Sequence, residues 1–528
     1  MYKRQDPDAA TGANLRRTPT RDLLTLDYAG IVNKTVGRYA LTTTFGSQIV
    51  SDQSSVLSAT GIGIGAPDVT LVNLLQRSVG GESFSENNSV GYFVQQQVGW
   101  NDRLFLTGAV RADDHSSFGT NFDLIVYPKF SVSYVLSDEP ALQERLRSLK
   151  VNTFKFRSAW GQAGRAPGAF SAPQTYTVDR VTLGTATGSA IRTAAFGNPD
   201  LKPERGEELE VGADIAMFDE RIGIDFTYYN KKTTDMLQAV SVPPSSGFIS
   251  TQLTNLGAVR NSGIELGLTG KVIQRSNLSW DSRLNIATNT NELLSFGIPG
   301  RIVETPGGQA YGSVQQHRVG FPLGGYWVTP PLRAPDGSAL LTTTGAAQFP
   351  LGDTARRYIG PSTPTLEWNW ANTFTVFKYF RVYALLDAKR GHYIFNLQER
   401  NRCQAANDNC ARVNDPRARF PQTAADTVLF KELAVYRSTS VSPEWIEPAD
   451  FIKLRELSIS MDLPQRLLRA TKASTASFTI SGRNLAIWSD YSGVDPEVNS
   501  YGGRNFVRVD AYAMPMMRRW TAAMNLTF

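Results

Sequence analysis

The last eleven residues, Arg518-Arg-Trp-Thr-Ala-Ala-Met-Asn-Leu-Thr-Phe528, constrain the fold more than any other stretch of this chain. Trp520, Ala522, Met524, Leu526 and Phe528 fall on one face of an extended strand, and Arg519, Thr521, Ala523, Asn525 and Thr527 on the other. Alternation at period two with no turn after it describes a strand with one apolar and one polar face. A strand that stops on an aromatic suits a bacterial outer-membrane barrel. There the apolar face meets lipid and the last aromatic sits in the interfacial girdle. A soluble sandwich is the competing reading of the same residues.

Composition narrows the choice. At 528 residues the chain is too long for one ordinary soluble domain, yet 41% hydrophobic residues and a mean hydropathy of -0.24 are average for a soluble protein. No stretch approaches the roughly 20 consecutive apolar residues of a spanning helix, which argues against a helical inner-membrane protein. A barrel stays open, because its strands dilute every apolar residue with a polar one. The net charge of +6 is small for this length, and no dense basic run with interleaved aromatics appears, so nucleic acid is not an expected partner. The start, Met1-Tyr-Lys-Arg-Gln-Asp-Pro-Asp8, lacks the apolar core of a signal peptide. The expectation is either a cytoplasmic chain or the carboxy-terminal piece of a longer one.

Hairpins with short turns recur at Gly99–Leu104, Met217–Ile222 and Phe377–Val382. Before the second turn, Leu209, Val211, Ala213, Ile215 and Met217 alternate with Glu208, Glu210, Gly212, Asp214 and Ala216. After it, Ile222, Ile224, Phe226 and Tyr228 alternate with Gly223, Asp225, Thr227 and Tyr229. One face carries too many carboxylates for a soluble core and the other is too apolar for water. Lipid outside and a wet lumen inside satisfy both. The pattern returns at Phe154/Phe156/Trp160, Ile264/Leu266/Leu268, Trp280/Leu284/Ile286 and Leu457/Ile459/Met461/Leu463, for about fifteen strands in all.

Short connections are expected near 32–37, 100–103, 218–221, 271–277 and 378–381, with single helical turns at Pro140–Leu149 and Pro464–Ala470. Long Gly-, Pro-, Asn- and Ser-rich connections are expected at about 52–86, 163–204, 233–260, 291–363, 392–449 and 488–516. A compact soluble domain does not need so many long loops. The fold class that follows is all-β: a transmembrane antiparallel β-barrel, here a partial one, with short periplasmic turns and long extracellular loops. Complete bacterial barrels have an even strand number, so an odd count implies strands upstream and agrees with the missing signal peptide.

Several segments resemble one family. Phe196-Gly-Asn-Pro-Asp-Leu-Lys-Pro-Glu204, followed by Glu208, Gly212, Asp214 and Asp225-Phe-Thr-Tyr-Tyr-Asn230, looks like the late barrel of TonB-dependent outer-membrane transporters. Asn255-Leu-Gly-Ala-Val-Arg-Asn-Ser-Gly-Ile-Glu265 resembles the start of a strand in the SusC/RagA-type branch. Ser481-Gly-Arg-Asn-Leu485, Trp488, Tyr491 and Asp495-Pro-Glu497 resemble that branch's hallmark near its carboxy terminus. Arg111-Ala-Asp-Asp-His-Ser-Ser-Phe118, Tyr127-Pro128 and Ser137-Asp-Glu139 add another match, so the likeness runs over roughly residues 90 to 528.

The resemblance implies a barrel of 22 strands behind a signal peptide, a TonB-contacting segment and a plug, with 1–528 as its carboxy-terminal part and those amino-terminal parts absent. It implies localisation in the cell outer membrane and uptake of bulky nutrients such as glycans or peptides, without chemistry. The implied partners are a SusD-like surface lipoprotein, the TonB complex acting through the plug region, the outer-membrane barrel assembly machinery and the lipid bilayer. Two rival readings are a passive porin-like or binding barrel and a secreted soluble β-rich binding protein. The substrate is not legible.

Cys403 and Cys410, the only cysteines, flank a polar stretch in a long connection. A disulfide within an extracellular loop is expected, with two free thiols as the alternative; a lone pair is a poor zinc site. Asn407, Asp408, Asn409 and Asp415 offer oxygens but lack the spacing of a calcium motif, and a solvated tip is the expected role. Gly61-Ile-Gly-Ile-Gly65 has no βαβ context for a dinucleotide. The three histidines, His115, His317 and His392, stand in separate segments, and no nucleophile elbow or zincin motif occurs, so no catalytic, cofactor or metal residue is assigned. Pro199 and Pro203 are expected to set a rigid turn into a strand starting near 205. Tyr326 and Trp327 are the candidates for stacking on a ligand, against the plainer role of packing at a loop base.

Overall fold

The structure, a computed structural model, describes residues 12–64, 71–74, 77–119, 124–183, 186–241, 243, 245, 251–299, 302–304, 314–404, 407–464, 468, 473–500 and 507–528. One sheet of sixteen strands takes in fifteen in sequence order, and the sixteenth, Thr290–Ser295, continues Leu278–Thr288 past Asn289 to pair with the same neighbour. The fifteen staves agree with the count read from alternation. Among the described residues, no helix is long and apolar enough to cross a membrane.

The chain forms two compact units, Met1–Val132 with Ala159–Glu207 and Thr233–Leu256, and Ser133–Ser158 with Glu208–Lys232 and Gly257–Phe528. In the first, Ala13–Val36, Tyr39–Ile62, Arg77–Trp100 and Leu104–His115 pair antiparallel in turn. The first three are 24 residues each, roughly 80 Å at about 3.3 Å per residue, where about 9–11 residues cross a bilayer. These hairpins therefore continue far beyond any membrane. This corrects the loop expected at 52–86, which is strand over most of its length. Its Ser, Gln and Asn residues read as loop by composition. Extended, the segment gains ladder bonds and cross-strand pairs such as Arg21–Asp52 at 2.7 Å and Gln53 Nε2 to Glu86 Oε1 at 3.3 Å.

In the second unit, Ala258–Arg275, Leu278–Thr288, Leu366–Val376, Phe380–Arg390, Phe451–Asp462, Thr475–Ser489 and Arg519–Thr527 pair antiparallel in turn. Register aligns apolar residues into rows: Ile459–Ile480–Ala522 and Met461–Phe478–Met524. Ile459, Ile480, Phe478 and Met524 are exposed, which only an apolar solvent on that face makes favourable. Aromatics at the short turns (Phe218, Phe377, Tyr379 and Phe380) are exposed too, as in an interfacial girdle.

Gly263, inside the Asn-Ser-Gly-Ile-Glu segment, shows why that motif needs glycine. A Cβ there would lie 1.9 Å from Thr288 O, which also accepts a hydrogen bond from Tyr229 Oη at 3.1 Å. Gly263→Ala is expected to destabilise the barrel by about 1–3 kcal/mol, read as an earlier thermal loss of the compact band on semi-native gels.

The helix expected at Pro140–Leu149 is present as Pro140–Ser148. The one expected at Pro464–Ala470 falls largely on residues outside the described ones. The long connections are more ordered than expected. Hairpins form at Tyr176–Leu183 with Ala186–Thr193 and at Leu237–Ser241 with Thr251–Asn255. The connection at 392–449 holds helices Leu397–Cys403, Pro416–Arg419 and Ala424–Tyr436. The last begins with a capping box, the Thr423 hydroxyl accepting from Asp426 N and the Asp426 carboxylate accepting from Thr423 N.

Candidate functional site: a polar wall and a loop core

Because side chains alternate, the residues opposite the apolar rows share the other face of the sheet, and in the second unit they form a polar wall. Arg157 Nε donates to Asp214 Oδ1 at 2.9 Å, while its Nη2 reaches Asp225 Oδ1 at 2.5 Å and Thr227 Oγ1 at 2.7 Å. Lys155, Lys231, Lys389 and Arg483 pair with Asp214, Glu208, Glu367 and Glu456 respectively. A recess of about 540 Å³ opens on this wall, with Glu208, Glu210, Asp225, Glu265, Glu367 and Asp387 among its lining. It is wet and net negative. Asp225 and Thr227 line it as the alternation predicts, and Phe226 is exposed on the opposite face.

The long connections at 314–363, 392–449 and 507–510 share a hydrophobic core of their own. Trp445, Tyr326, Phe395, Val413, Leu433 and Val509 are buried together there with Cys403 and Cys410. Ile394 to Asn396 join Ile446 and Glu447 antiparallel on one side and Val509–Asp510 parallel on the other. A disulfide joins Cys403 to Cys410, whose positions are seven apart. The loop it closes is pinned by Asp408, which accepts from Arg437 Nε at 2.9 Å and Arg419 Nη2 at 3.0 Å. Asp408 is thus engaged with guanidinium groups, which hold its carboxyl below the usual range, first of all through the Arg437 hydrogen bond. Replacing both cysteines by alanine is expected to cost the loop core about 2.5 kcal/mol through the freed loop entropy of the unfolded chain. Limited proteolysis between residues 397 and 445 would report it.

Tyr326 lies in this core, and Trp327 next to it is buried as well. The Tyr326 hydroxyl donates to Arg508 O and accepts from Phe395 N, and burial pushes its pKa up. Trp327 packs edge-on against Phe321 at 4.7 Å, with the Arg318 guanidinium 4.0 Å over its ring. Both rings are buried and spend their faces on protein.

The family-like motifs turn out to be anchors. Asn198 caps its own turn by accepting from Asp200 N at 3.0 Å and donates to Leu253 O at 2.9 Å. Asn255 exchanges two bonds with the Lys202 backbone, at 3.0 and 2.6 Å, and Leu201 is fully buried. The strand then starts at Glu204, as the two prolines predicted. At the other motif, Asn484 adopts a φ of 53°, and the ladder with Phe451–Asp462 slips between Leu454 and Glu456. Lys453 and Arg455 share a side by ordinary alternation, and the extra residue shifts the parity so that Glu456 and Ser458 follow them on the polar side. Lys453 Nζ holds Asp495 Oδ1 at 2.7 Å and Glu497 Oε2 at 2.8 Å; Arg455 Nη2 holds Glu497 Oε1 at 2.7 Å and also pairs with Asp387. The Lys453 side chain is only 5% exposed. Sequence reasoning missed this cluster, because Asp495-Pro-Glu497 has no local partner and its cations lie more than forty residues away.

Burial pushes the Glu497 pKa up, but the Arg455 and Lys453 hydrogen bonds and charges outweigh it and hold the carboxyl at about 2, against 4.5 ordinarily. A depressed folded-state pKa stabilises above the unfolded value and is lost as pH falls through the folded one. The 490–500 loop is therefore expected to resist protease at pH 5 and above and to loosen between pH 4.5 and 2. Glu497→Gln should remove that acid dependence. His392 and His317, pushed down by burial to about 3 and about 4, remain neutral across that comparison's upper range.

One apolar face, one polar face, an aromatic rim and folded long connections are the features of a transmembrane β-barrel wall, here a partial one. The chain belongs to the TonB dependent receptor-like β-barrel family, whose model matches residues 1–400. That family consists of outer-membrane transporters, not enzymes. The chain is 25% identical over 472 residues to TonB-dependent receptor P3 of Formosa agariphila, covering 84% of this chain and 46% of that protein. It is 22% identical over 461 residues to TonB-dependent receptor SusC of Bacteroides thetaiotaomicron, covering 84% and 44%. Among solved structures, the RagAB peptide importer in its closed-closed state superposes with a TM-score of 0.81 at 19% identity, over 97% of this chain and 56% of that one. The chain thus spans about half the length of the relatives it matches.

Proposed function

We propose that this chain is the barrel wall and external loop body of a TonB-dependent importer in the cell outer membrane, taking up bulky nutrients such as peptides or glycans. It works by binding and gated passage, with no covalent step. A SusD-like surface lipoprotein serves as lid and the TonB complex supplies energy through a plug region. The barrel assembly machinery inserts the protein into the bilayer. The observation that carries this reading is the division of the second unit's sheet into an exposed apolar face and an ion-paired polar wall, in a chain whose fold is that of the RagAB peptide importer. Peptide cargo is supported by the name of the RagAB peptide importer, and glycan cargo only by the SusC/RagA-type resemblance of the sequence motifs.

Uptake of fluorescent oligopeptides and oligosaccharides by cells with and without the full-length gene tests it. Gene-dependent uptake that stops with a protonophore is expected. Uptake that persists in the protonophore would identify a passive pore instead.

A further inference from the structure

Pro140–Ser148 is a helix of nine residues in which no residue is buried. Leu142, Leu146 and Leu149 follow one another at i, i+4 and i+7, so they share one face. Leu142 and Leu149 are 36% and 59% exposed. A helix this short is marginal on its own and needs something against its apolar face.

Its place in the chain says what that is. It follows strand Ile125–Val135 and precedes Val151–Arg165, with four and two residues between. Four residues reach at most about 14 Å, so the helix stays at the short-turn end of two spanning strands. The Tyr134 hydroxyl, at the end of the first strand, donates to Glu139 Oε2 at 2.8 Å beside the helix N-terminus. At the other end Phe218 N donates to Lys150 O and Asp219 N to Asn152 Oδ1, both at 2.8 Å. Phe218, whose N–H ties its turn to Lys150, is itself exposed, as an aromatic at headgroup level would be.

Charge agrees. Arg145, Arg147 and Lys150 cluster at the carboxy-terminal half, where they also complement the helix dipole, while Glu144 lies on the side opposite Leu142. Asp138 and Glu139 sit at the amino-terminal end. A polar recess of about 490 Å³ at this end is lined by Arg147 and Lys150 but also by Asp138 and Asp219, so it is neutral overall and the phosphates are to be met by the outward-reaching cationic side chains rather than inside it.

We infer that this helix is an interfacial anchor in the periplasmic leaflet. Its leucines enter the upper acyl region, and Arg145, Arg147 and Lys150 bind phospholipid phosphates with their stems laid along the apolar boundary. The inference rests on the membrane-barrel reading above.

The test uses the full-length protein folded into vesicles of phosphatidylethanolamine and phosphatidylglycerol. Single nitroxide labels are placed through Leu142→Cys, Leu149→Cys, Glu144→Cys and, on the lipid-facing row, Ile480→Cys. Oxygen partitions into lipid and a nickel chelate into water. The oxygen-to-nickel accessibility ratio is expected to be several-fold higher at 142 and 149 than at 144, and higher still at 480. Replacing Arg145, Arg147 and Lys150 together by Gln should lower the ratio at 149 towards that at 144. Nickel access at 480 would sink the barrel reading itself. A lipid-like 480 with nickel-accessible 142 and 149 would overturn the anchor alone. Shielding of 142 and 149 from both reagents would also overturn it, by showing that protein covers the leucines. An unchanged ratio in the triple Gln variant would remove the phosphate contact.

Discussion

Lys453→Met is expected to destabilise the protein by about 3–5 kcal/mol, the cost of leaving buried charge without its partner. Lys453 and Asp495 are 5% and 8% exposed at their side chains, and Glu497 shares the same ammonium. Methionine keeps the length and volume of lysine, so packing changes little and the loss is electrostatic. Arg483→Met is the comparison. Its pair with Glu456 is similar in length, at 3.1 Å, but Arg483 is 54% exposed, so water screens it and the expected loss is below about 1 kcal/mol. Thermal melting of the folded band for the two variants measures the difference. Equal losses would show that the cluster is not desolvated as the structure has it. A triple variant that also carries Asp495→Asn and Glu497→Gln should recover part of the stability, because the stranded charges are gone.

Ile480→Arg is expected to cost about 2–4 kcal/mol, against little for Ser481→Arg one residue along. Ile480 lies between Ile459 and Ala522 in an exposed apolar row, and Ser481 between Ser458 and Thr521 on the wet face. Ile480 is five residues from the strand start at Thr475. At about 3.3 Å per residue and a tilt of about 45°, that is roughly 12 Å into the hydrocarbon, close to its middle. Assembly into membranes, read as the heat-modifiable fraction, reports both variants. Equal tolerance of the two would refute the register.

Much of the barrel was legible in the chain because alternation is a local signal. Leu209 to Met217 and Ile222 to Tyr228 name their own faces, and the structure keeps both assignments, with Asp225 on the wall and Phe226 opposite. Pro199 and Pro203 announced the turn before Glu204 by fixing their own backbone angles. Tyr326 and Trp327 take the plainer of the two roles weighed for them, packing: Tyr326 belongs to the loop core with Phe395 and Trp445, and Phe321 packs edge-on against Trp327. Thr423-Ala-Ala-Asp426 forms a capping box that opens a helix inside a stretch read from composition only as a long connection.

The turns expected at 32–37 and 271–277 shrink to 37–38 and 276–277, because the strands run on to Val36 and Arg275. The sequence by itself determined which residues alternate, the short turns near 100–103, 218–221 and 378–381, and which face the strands offer to lipid. Those properties belong to neighbours along the chain, and period-two geometry converts them directly into sides of a sheet. Only the tertiary structure decided the bulge at Leu454 and Glu456, the grip of Lys453 and Arg455 on Asp495 and Glu497, and the shared core of the external loops. Tyr326, Phe395, Trp445 and Val509 stand fifty or more residues apart. Each lies in a segment too short to bury an apolar side alone, and each becomes a core residue only when the barrel strands bring the segments together.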